Sequence, residues 1–153
     1  MGWLSTPERI WKPSRSRFAF LLVSAVAFAV TEFGRFVARP WVRSNNINDL
    51  GLTDSIGNLG GIAVMIFFGC AVMNPTRKQS YRIAAFYSIC FILYEFAQPY
   101  LPKGVFDWMD VVGTAIGYGI SLPILAALWH VIPHSEGDEI GEPRPSARPA
   151  PRS

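Results

Sequence analysis

Four long apolar stretches, nearly free of charged residues, constrain the fold of this chain more than any other feature. They cover residues 18–37, 55–73, 83–101 and 111–133. An α-helix that rises 1.5 Å per residue needs about 20 residues to cross a hydrocarbon core of about 30 Å. Each stretch has about that length, so the sequence predicts an all-α membrane protein with four transmembrane helices.

The distribution of charge divides the chain into three parts. Only 16% of the 153 residues are charged, against about 25% in a typical soluble domain. The predicted parts are a basic cytoplasmic N-terminal segment (1–17), a four-helix transmembrane domain (18–133) and a polar tail (134–153). Only the linker 39–53 exceeds a short loop. The tail has too little apolar surface to offset its chain entropy, so we expect it to be disordered.

Lysine and arginine residues predict the orientation, because basic residues stay on the cytoplasmic side of a membrane. Seven lie before the first stretch or between the second and third: Arg9, Lys12, Arg15, Arg17, Arg77, Lys78 and Arg82. Four lie on the other side: Arg35, Arg39, Arg43 and Lys103. We therefore expect a multi-pass protein of the cell (inner or plasma) membrane with both termini in the cytoplasm.

The first stretch also has features of a secretory signal peptide. A basic segment precedes it, and Ala27-Phe28-Ala29 loosely fits a cleavage site. The repeat described next includes Glu32 in the fold, which favours an uncleaved helix.

Two segments of the chain are alike, which predicts an internal repeat. Each has a Glu-Phe pair, a loop and an Asp-x-x-Gly-x-x-x-Gly run, namely Glu32-Phe33 with Asp54, Gly57 and Gly61, then Glu95-Phe96 with Asp110, Gly113 and Gly117. Each repeat is a helical hairpin that starts and ends on the same side, so the repeats are parallel in topology. We expect two repeated hairpins in a bundle with approximate two-fold symmetry about the membrane normal.

The glycines of the repeat predict where helices pack closely. Glycines four residues apart form a flat strip on one helix face, where another backbone can approach. The two strips are Gly57 with Gly61 and Gly113 with Gly117. Asn58 and Thr114 hold the same position beside these strips, so we expect them to hydrogen-bond across helices.

Four carboxylates, those of Glu32, Asp54, Glu95 and Asp110, are predicted to converge near the outer surface of the bundle. An ionised carboxylate inside a bilayer costs several kcal/mol unless it is paired or hydrated. Two simpler roles remain open: Asp54 and Asp110 can cap helices, and Glu32 can pair with a basic residue at i+3, Arg35.

Glu95 differs from the other three carboxylates. It has no basic residue at helical spacing, but Gln98 lies on its face at i+3. This spacing favours a role for Glu95 in a polar network.

The histidines and cysteines give weaker signals. His130 and His134 are four apart, as metal ligands on a helix can be, but no third ligand lies on that side, so we expect neither metal nor cofactor. Cys70 and Cys90 fall inside predicted spans and are expected to be packing residues rather than a disulfide. The basic N-terminal cluster is explained by topology and anionic lipid, so we expect no nucleic-acid partner.

Residues 95–117 resemble the VanZ-like membrane family. That family's signature is a Glu-x-x-Gln pair, a loop Pro, a Phe-Asp pair, an Asp opening the last helix and a later Gly. These features match Glu95, Gln98, Pro102, Phe106, Asp107, Asp110 and Gly117. Gly104 stands where the family usually has Arg, and Thr114 where it usually has Asn. The resemblance implies a cell-envelope protein of a family associated with resistance to the glycopeptide teicoplanin.

Three functions are compatible with the sequence. The first, which we favour, is a non-enzymatic protein that binds a polar, lipid-linked or cell-wall ligand at the outer carboxylate cluster. The predicted ligand-binding residues are Glu95, Gln98, Asp107, Asp110, Glu32, Asp54, Asn58 and Thr114. The second is a membrane enzyme acting on a lipid-linked phosphate or sugar, with carboxylates holding a metal or acting as acid and base. The third is a small ion- or proton-coupled transporter, which would require a homo-oligomer because four helices make a narrow bundle.

Overall fold

The protein is all-helical throughout the residues that the computed structural model describes, which are 14–49, 51–102 and 104–132. Those ranges contain four long helices and no β-strand. The predicted tail from His134, the basic residues before Ser14 and Lys103 lie outside the described residues.

The first helix extends further than the sequence predicted. Helix α1 spans Arg15–Phe33, continues through a π-helical turn at Gly34–Ala38 and ends as α2, Arg39–Ser44. Sequence analysis assigned the start of a linker to residue 39. The π-helical turn lies directly before Pro40, whose ring lacks an N–H and clashes with the preceding turn of an ordinary α-helix. The wider turn accommodates this ring, so the helix continues.

The other three long helices follow the remaining apolar stretches with shifted ends. Helix α3 spans Ile56–Met73, α4 spans Arg77–Ala97 and α5 spans Trp108–Val131, with a 3₁₀ turn at Gln98–Tyr100. The start of α4 lies six residues before the predicted apolar stretch because Thr76 forms a capping box with Gln79. That motif satisfies two backbone N–H groups of the first turn.

Three of the helices are long and apolar enough to cross a membrane, judged by length and composition. They are Arg15–Ser44, Ile56–Met73 and Trp108–Val131, and only 22%, 39% and 28% of the residues in their most apolar windows are buried. Most of their apolar surface therefore faces outward, as contact with a lipid bilayer requires. Helix α4 is less apolar because it carries Arg82 and Glu95 as well as serines and tyrosines.

Helix α3 lies at the centre of the bundle. It packs against α1, α4 and α5, and α4 also packs against α5. One buried apolar cluster joins α1, α3 and α5 through Phe20, Phe67 and Leu125. Cys70 belongs to this cluster, whereas Cys90 is exposed on α4, so Cys90 is not a packing residue within the described part of the chain; both cysteines are free.

The glycines of α5 form its closest contact with α3. A Cβ added at Gly113 would come within 3.0 Å of the Ser55 carbonyl oxygen, and one added at Gly117 would collide with the Leu59 carbonyl oxygen. Backbone therefore lies against backbone along this strip.

The glycines of α3 are arranged differently from the predicted strip. A Cβ at Gly57 would meet no atom within 4 Å among the described residues, and one at Gly61 would make only an ordinary contact of 3.6 Å with Phe91. The close contact is at Gly60, where a Cβ would collide with Thr31 of α1. Helix α1 packs against the face of α3 that carries Gly60. Gly57 therefore makes no close helix contact among the described residues.

Candidate functional site

Glu95 is the one buried carboxylate among residues 14–49, 51–102 and 104–132, with a relative exposure of 2%. It lies in the last turn of α4. Asn58 of α3 donates from Nδ2 to Glu95 Oε1 at 3.1 Å, and Gln98 donates from Nε2 to Oε2 at 2.5 Å. Each carboxylate oxygen therefore accepts a hydrogen bond from a neutral amide.

Asn58 lies beside two carboxylates of different helices. Besides its bond to Glu95 at the end of α4, it lines the same cavity as Asp110 in the first turn of α5. The start of α3, the end of α4 and the start of α5 therefore meet at one level, which we call the Glu95 end of the bundle. Thr114 was predicted to hydrogen-bond across helices. Its hydroxyl instead donates within its own helix, to the Asp110 carbonyl oxygen at 2.9 Å.

Two arginines of α2 hold Asp54 at the same end. Arg39 donates from Nε and Arg43 from Nη2 to Asp54 Oδ1, at 2.6 and 2.8 Å. The arginines are four residues apart, so they share one helix face. Asp54 does not cap α3, since that helix begins after Ser55 without a side-chain cap.

Glu32 and Asp107 have local partners. Arg35 donates to Glu32 Oε1 at 3.1 Å, the i+3 pair that the spacing offered. Asp107 is exposed and caps α5 by accepting from the Met109 amide at 2.8 Å, so the cap is here rather than at Asp110. The contacts of Glu32 and Glu95 therefore differ, although the predicted repeat made the two residues equivalent.

A cavity of about 330 Å³ opens at the Glu95 end, between the α1–α2 segment and the first turns of α3 and α5. Its lining is Arg35, Arg39, Asp54, Gly57, Asn58 and Asp110. We call this the polar cavity. It contains charged groups of both signs, and Glu95 is joined to it through Asn58. The absence of a side chain at Gly57 leaves room within it.

The loop that precedes Asp54 is ordered by one carboxylate outside the helices. Asp49 accepts from the amide of Thr53 at 2.8 Å and from its hydroxyl at 2.5 Å, and from the amide of Gly51 at 3.2 Å. These bonds favour the ionised form, and the Thr53 hydroxyl above all lowers the pKa of Asp49 below its ordinary value of 3.8. Gly51 has a φ of 81°, a conformation that favours glycine.

Metal ligands do not assemble in the described ranges. No group of three or more His, Cys, Asp or Glu residues there could hold a metal ion. His130 lies in the last turn of α5, and its predicted partner His134 is outside the described residues.

The sequence predicted Arg35 only as a partner of Glu32 and used Arg39 and Arg43 only for orientation, so none of the three was predicted as a site residue. Arg35 and Arg39 line the polar cavity, and Arg43 binds one of its carboxylates. The four-residue spacing of Arg39 and Arg43 was the available signal, but it becomes meaningful only once the helix is known to continue beyond residue 38.

No family model, curated protein or solved structure matches the chain. Its function must therefore be inferred from the site itself: a buried carboxylate, an amide that joins two helices, and a cavity with charges of both signs.

Proposed function

We propose that this chain is a multi-pass membrane protein of the VanZ-like type that binds a polar or lipid-linked ligand in the polar cavity. The observation that carries the proposal is the lining of that cavity. Arg35 and Arg39 stand on the α1–α2 side, and Asp110 stands on the α5 side. Such groups near the end of apolar helices suit a ligand headgroup at the membrane surface.

The geometry of Asn58 supports four membrane crossings. Asn58 hydrogen-bonds Glu95 and lines the polar cavity together with Asp110, so the start of α3, the end of α4 and the start of α5 lie at one level. If α3 and α5 each cross a bilayer from that level, α4 must return across the same thickness between them. Helix α4 has 21 residues, which is roughly 30 Å at helical rise.

Exposed apolar side chains support the same arrangement for α4. Four of them recur along the helix at helical spacing: Phe86, Ile89, Leu93 and Phe96. A face of this kind suits contact with lipid. With the basic residues as they are distributed, the Glu95 end faces outward and both termini are cytoplasmic.

The contacts of the motif residues support the VanZ-like assignment. Gln98 donates to Glu95, and Phe106 stacks on Phe96 with ring centroids 5.2 Å apart. Gly104, where the family usually has Arg, departs from the motif: a Cβ there would collide with the Gln98 carbonyl oxygen, so this loop conformation requires glycine. The family's association with glycopeptide resistance then makes an envelope ligand the natural expectation.

Native mass spectrometry with a total lipid extract of the cell envelope tests this proposal. We expect a one-to-one adduct with the wild-type protein that is lost in Arg35→Gln and weakened in Asp110→Asn. Lys78→Gln, which changes an exposed charge at the opposite end of α4, is the matched control and should keep the adduct. An adduct that survives both cavity substitutions, or no stoichiometric adduct at all, would contradict the proposal.

A proton-coupled transporter is a second candidate, favoured by the burial of Glu95. A carboxylate with an exposure of 2% near the end of a predicted span is the kind of group that binds the transported proton in membrane carriers. Reconstituted vesicles with an imposed pH gradient should then show proton flux that Glu95→Gln abolishes and Glu32→Gln retains. Flux that is equal in all three proteins and in empty vesicles would eliminate this candidate.

A further inference from the structure

We infer that the polar cavity takes a zwitterionic group, with an anionic moiety on Arg35 and Arg39 and a primary ammonium on Asp110. This inference rests on the proposed function and names the chemical class of its ligand. A phosphoethanolamine headgroup of a lipid and a free solute of the same chemistry both belong to that class.

The arginine side of the cavity has donors to spare for an anion. In the hydrogen bonds among the described residues, Arg39 uses Nε for Asp54 and Arg35 uses one terminal nitrogen for Glu32. A guanidinium has five N–H donors, and it binds phosphate or carboxylate through two of them at once. The side chains of Arg35 and Arg39 are 52% and 37% exposed, so a ligand can reach them.

The arginine side of the polar cavity carries an excess of positive charge. Three arginines (Arg35, Arg39 and Arg43) face two carboxylates, those of Glu32 and Asp54. The ion pairs therefore leave one positive charge that no carboxylate on this side neutralises. Asp110 attracts Arg39 across the cavity, and an anionic group bound by the arginines would neutralise that charge further.

The Asp110 side of the polar cavity, which adjoins Glu95, carries an excess of negative charge. Asn58, whose neutral amide bonds Glu95, lines the cavity beside Asp110, and the hydrogen bonds of Glu95 within the described ranges come from amides alone. Both oxygens of Glu95 already accept a bond, so Asp110 is the carboxylate that can take a new donor at the cavity. A primary ammonium offers three N–H donors and neutralises part of the repulsion between the two carboxylates.

The size and the mixed charge of the cavity narrow the ligand further. A volume of about 330 Å³ is near the lower limit of about 300 Å³ for small-molecule sites, which suits a headgroup. A phosphate alone would bring an anion towards Asp110, and an amine alone would bring a cation towards the arginines. A ligand with both charges on a short linker satisfies both sides.

Lipid-binding measurements on the full chain in detergent test the inference. Native mass spectrometry would be used to titrate three phospholipids with the same acyl chains: ethanolamine, choline and glycerol headgroups. We expect the ethanolamine lipid to bind at least tenfold more tightly than the other two, because choline has no N–H donor and glycerol no cation. Asp110→Asn should remove this preference and Asp110→Glu should restore much of it, while Lys78→Gln should leave it unchanged.

The results separate the inference from the proposed function. Equal binding of the three lipids, together with loss of that binding in Arg35→Gln, would overturn the zwitterion and keep the cavity as a ligand site. Equal binding that also survives Arg35→Gln would overturn both. If the ethanolamine preference is found, competition by soluble glycerophosphoethanolamine identifies a free solute as a ligand, and lack of competition identifies the membrane lipid.

Discussion

Replacing Gly117 by alanine is expected to separate α5 from α3. A Cβ at this position would collide with the Leu59 carbonyl oxygen and come within 2.5 Å of Ile62 Cγ2. A side chain can rotate away from a new methyl group, but a backbone carbonyl within a helix cannot. The two helices must therefore move apart.

Gly119 provides a matched control on the same helix. A Cβ there would meet nothing within 4 Å among the described residues. Alanine gains about 1 kcal/mol of helix propensity over glycine at either position, so the difference between the two variants isolates the steric cost. Overpacking costs about 1–3 kcal/mol. At 1.4 kcal/mol per factor of ten, the folding equilibria of the two variants should differ by about 5- to 140-fold.

The free energy of unfolding can be measured in mixed micelles by titration with a denaturing detergent, followed by circular dichroism of the helices. Gly117→Ala should unfold at a lower denaturant fraction than Gly119→Ala. Asp110 lies two turns before Gly117 on α5, so ligand affinity should fall in Gly117→Ala as well. Equal unfolding curves for the two variants would refute the close contact between the α3 and α5 backbones.

Three further predictions follow from single contacts. Asn58→Ala should lower the free energy of unfolding by about 1.5–3 kcal/mol in the same titration, because a buried carboxylate loses an amide donor; unchanged stability would contradict its bridging position. The pKa of Asp49 is lowered, so its stabilisation of the loop is complete above its ordinary pKa of 3.8 and is lost as the pH falls through the folded value below 3.8. Thr53→Val should raise that pKa towards 3.8 in a carboxyl NMR titration, and an unmoved midpoint would argue against the hydrogen bond. A maleimide should label Cys90 in detergent while Cys70, with an exposure of 0%, stays unlabelled until the protein unfolds; equal rates would be inconsistent with this packing.

Contacts between residues close in sequence could be predicted, since helical spacing fixes them. Gln98 is three residues after Glu95, and Arg35 is three residues after Glu32; both pairs form hydrogen bonds. The contact between Asn58 and Glu95 spans 37 residues. It depends on how α3 is rotated against α4, and no local spacing encodes that rotation.

The glycine pattern shows the same limit for helix packing. Gly57 and Gly61 share one face of α3, and Gly60 is rotated from Gly61 by about 100°, so the sequence offers more than one contact surface. Because α3 is the central helix, its neighbours on three sides decide which glycine meets a backbone or side chain. The predicted repeat indicated the face with Gly57 and Gly61, whereas Thr31 of α1 packs against Gly60.

The π-helical turn at Gly34–Ala38 sets the register of every residue that follows it in the first helix. One residue inserted into an α-helix rotates the chain beyond it by about 100°. Arg39 and Arg43 lie beyond the turn, and both point to Asp54. Deleting one residue from this turn would redirect both guanidinium groups by more than a quarter of a circle. Chains that differ in length by one residue here should therefore hold these two guanidinium groups in different directions, even with every cavity residue retained.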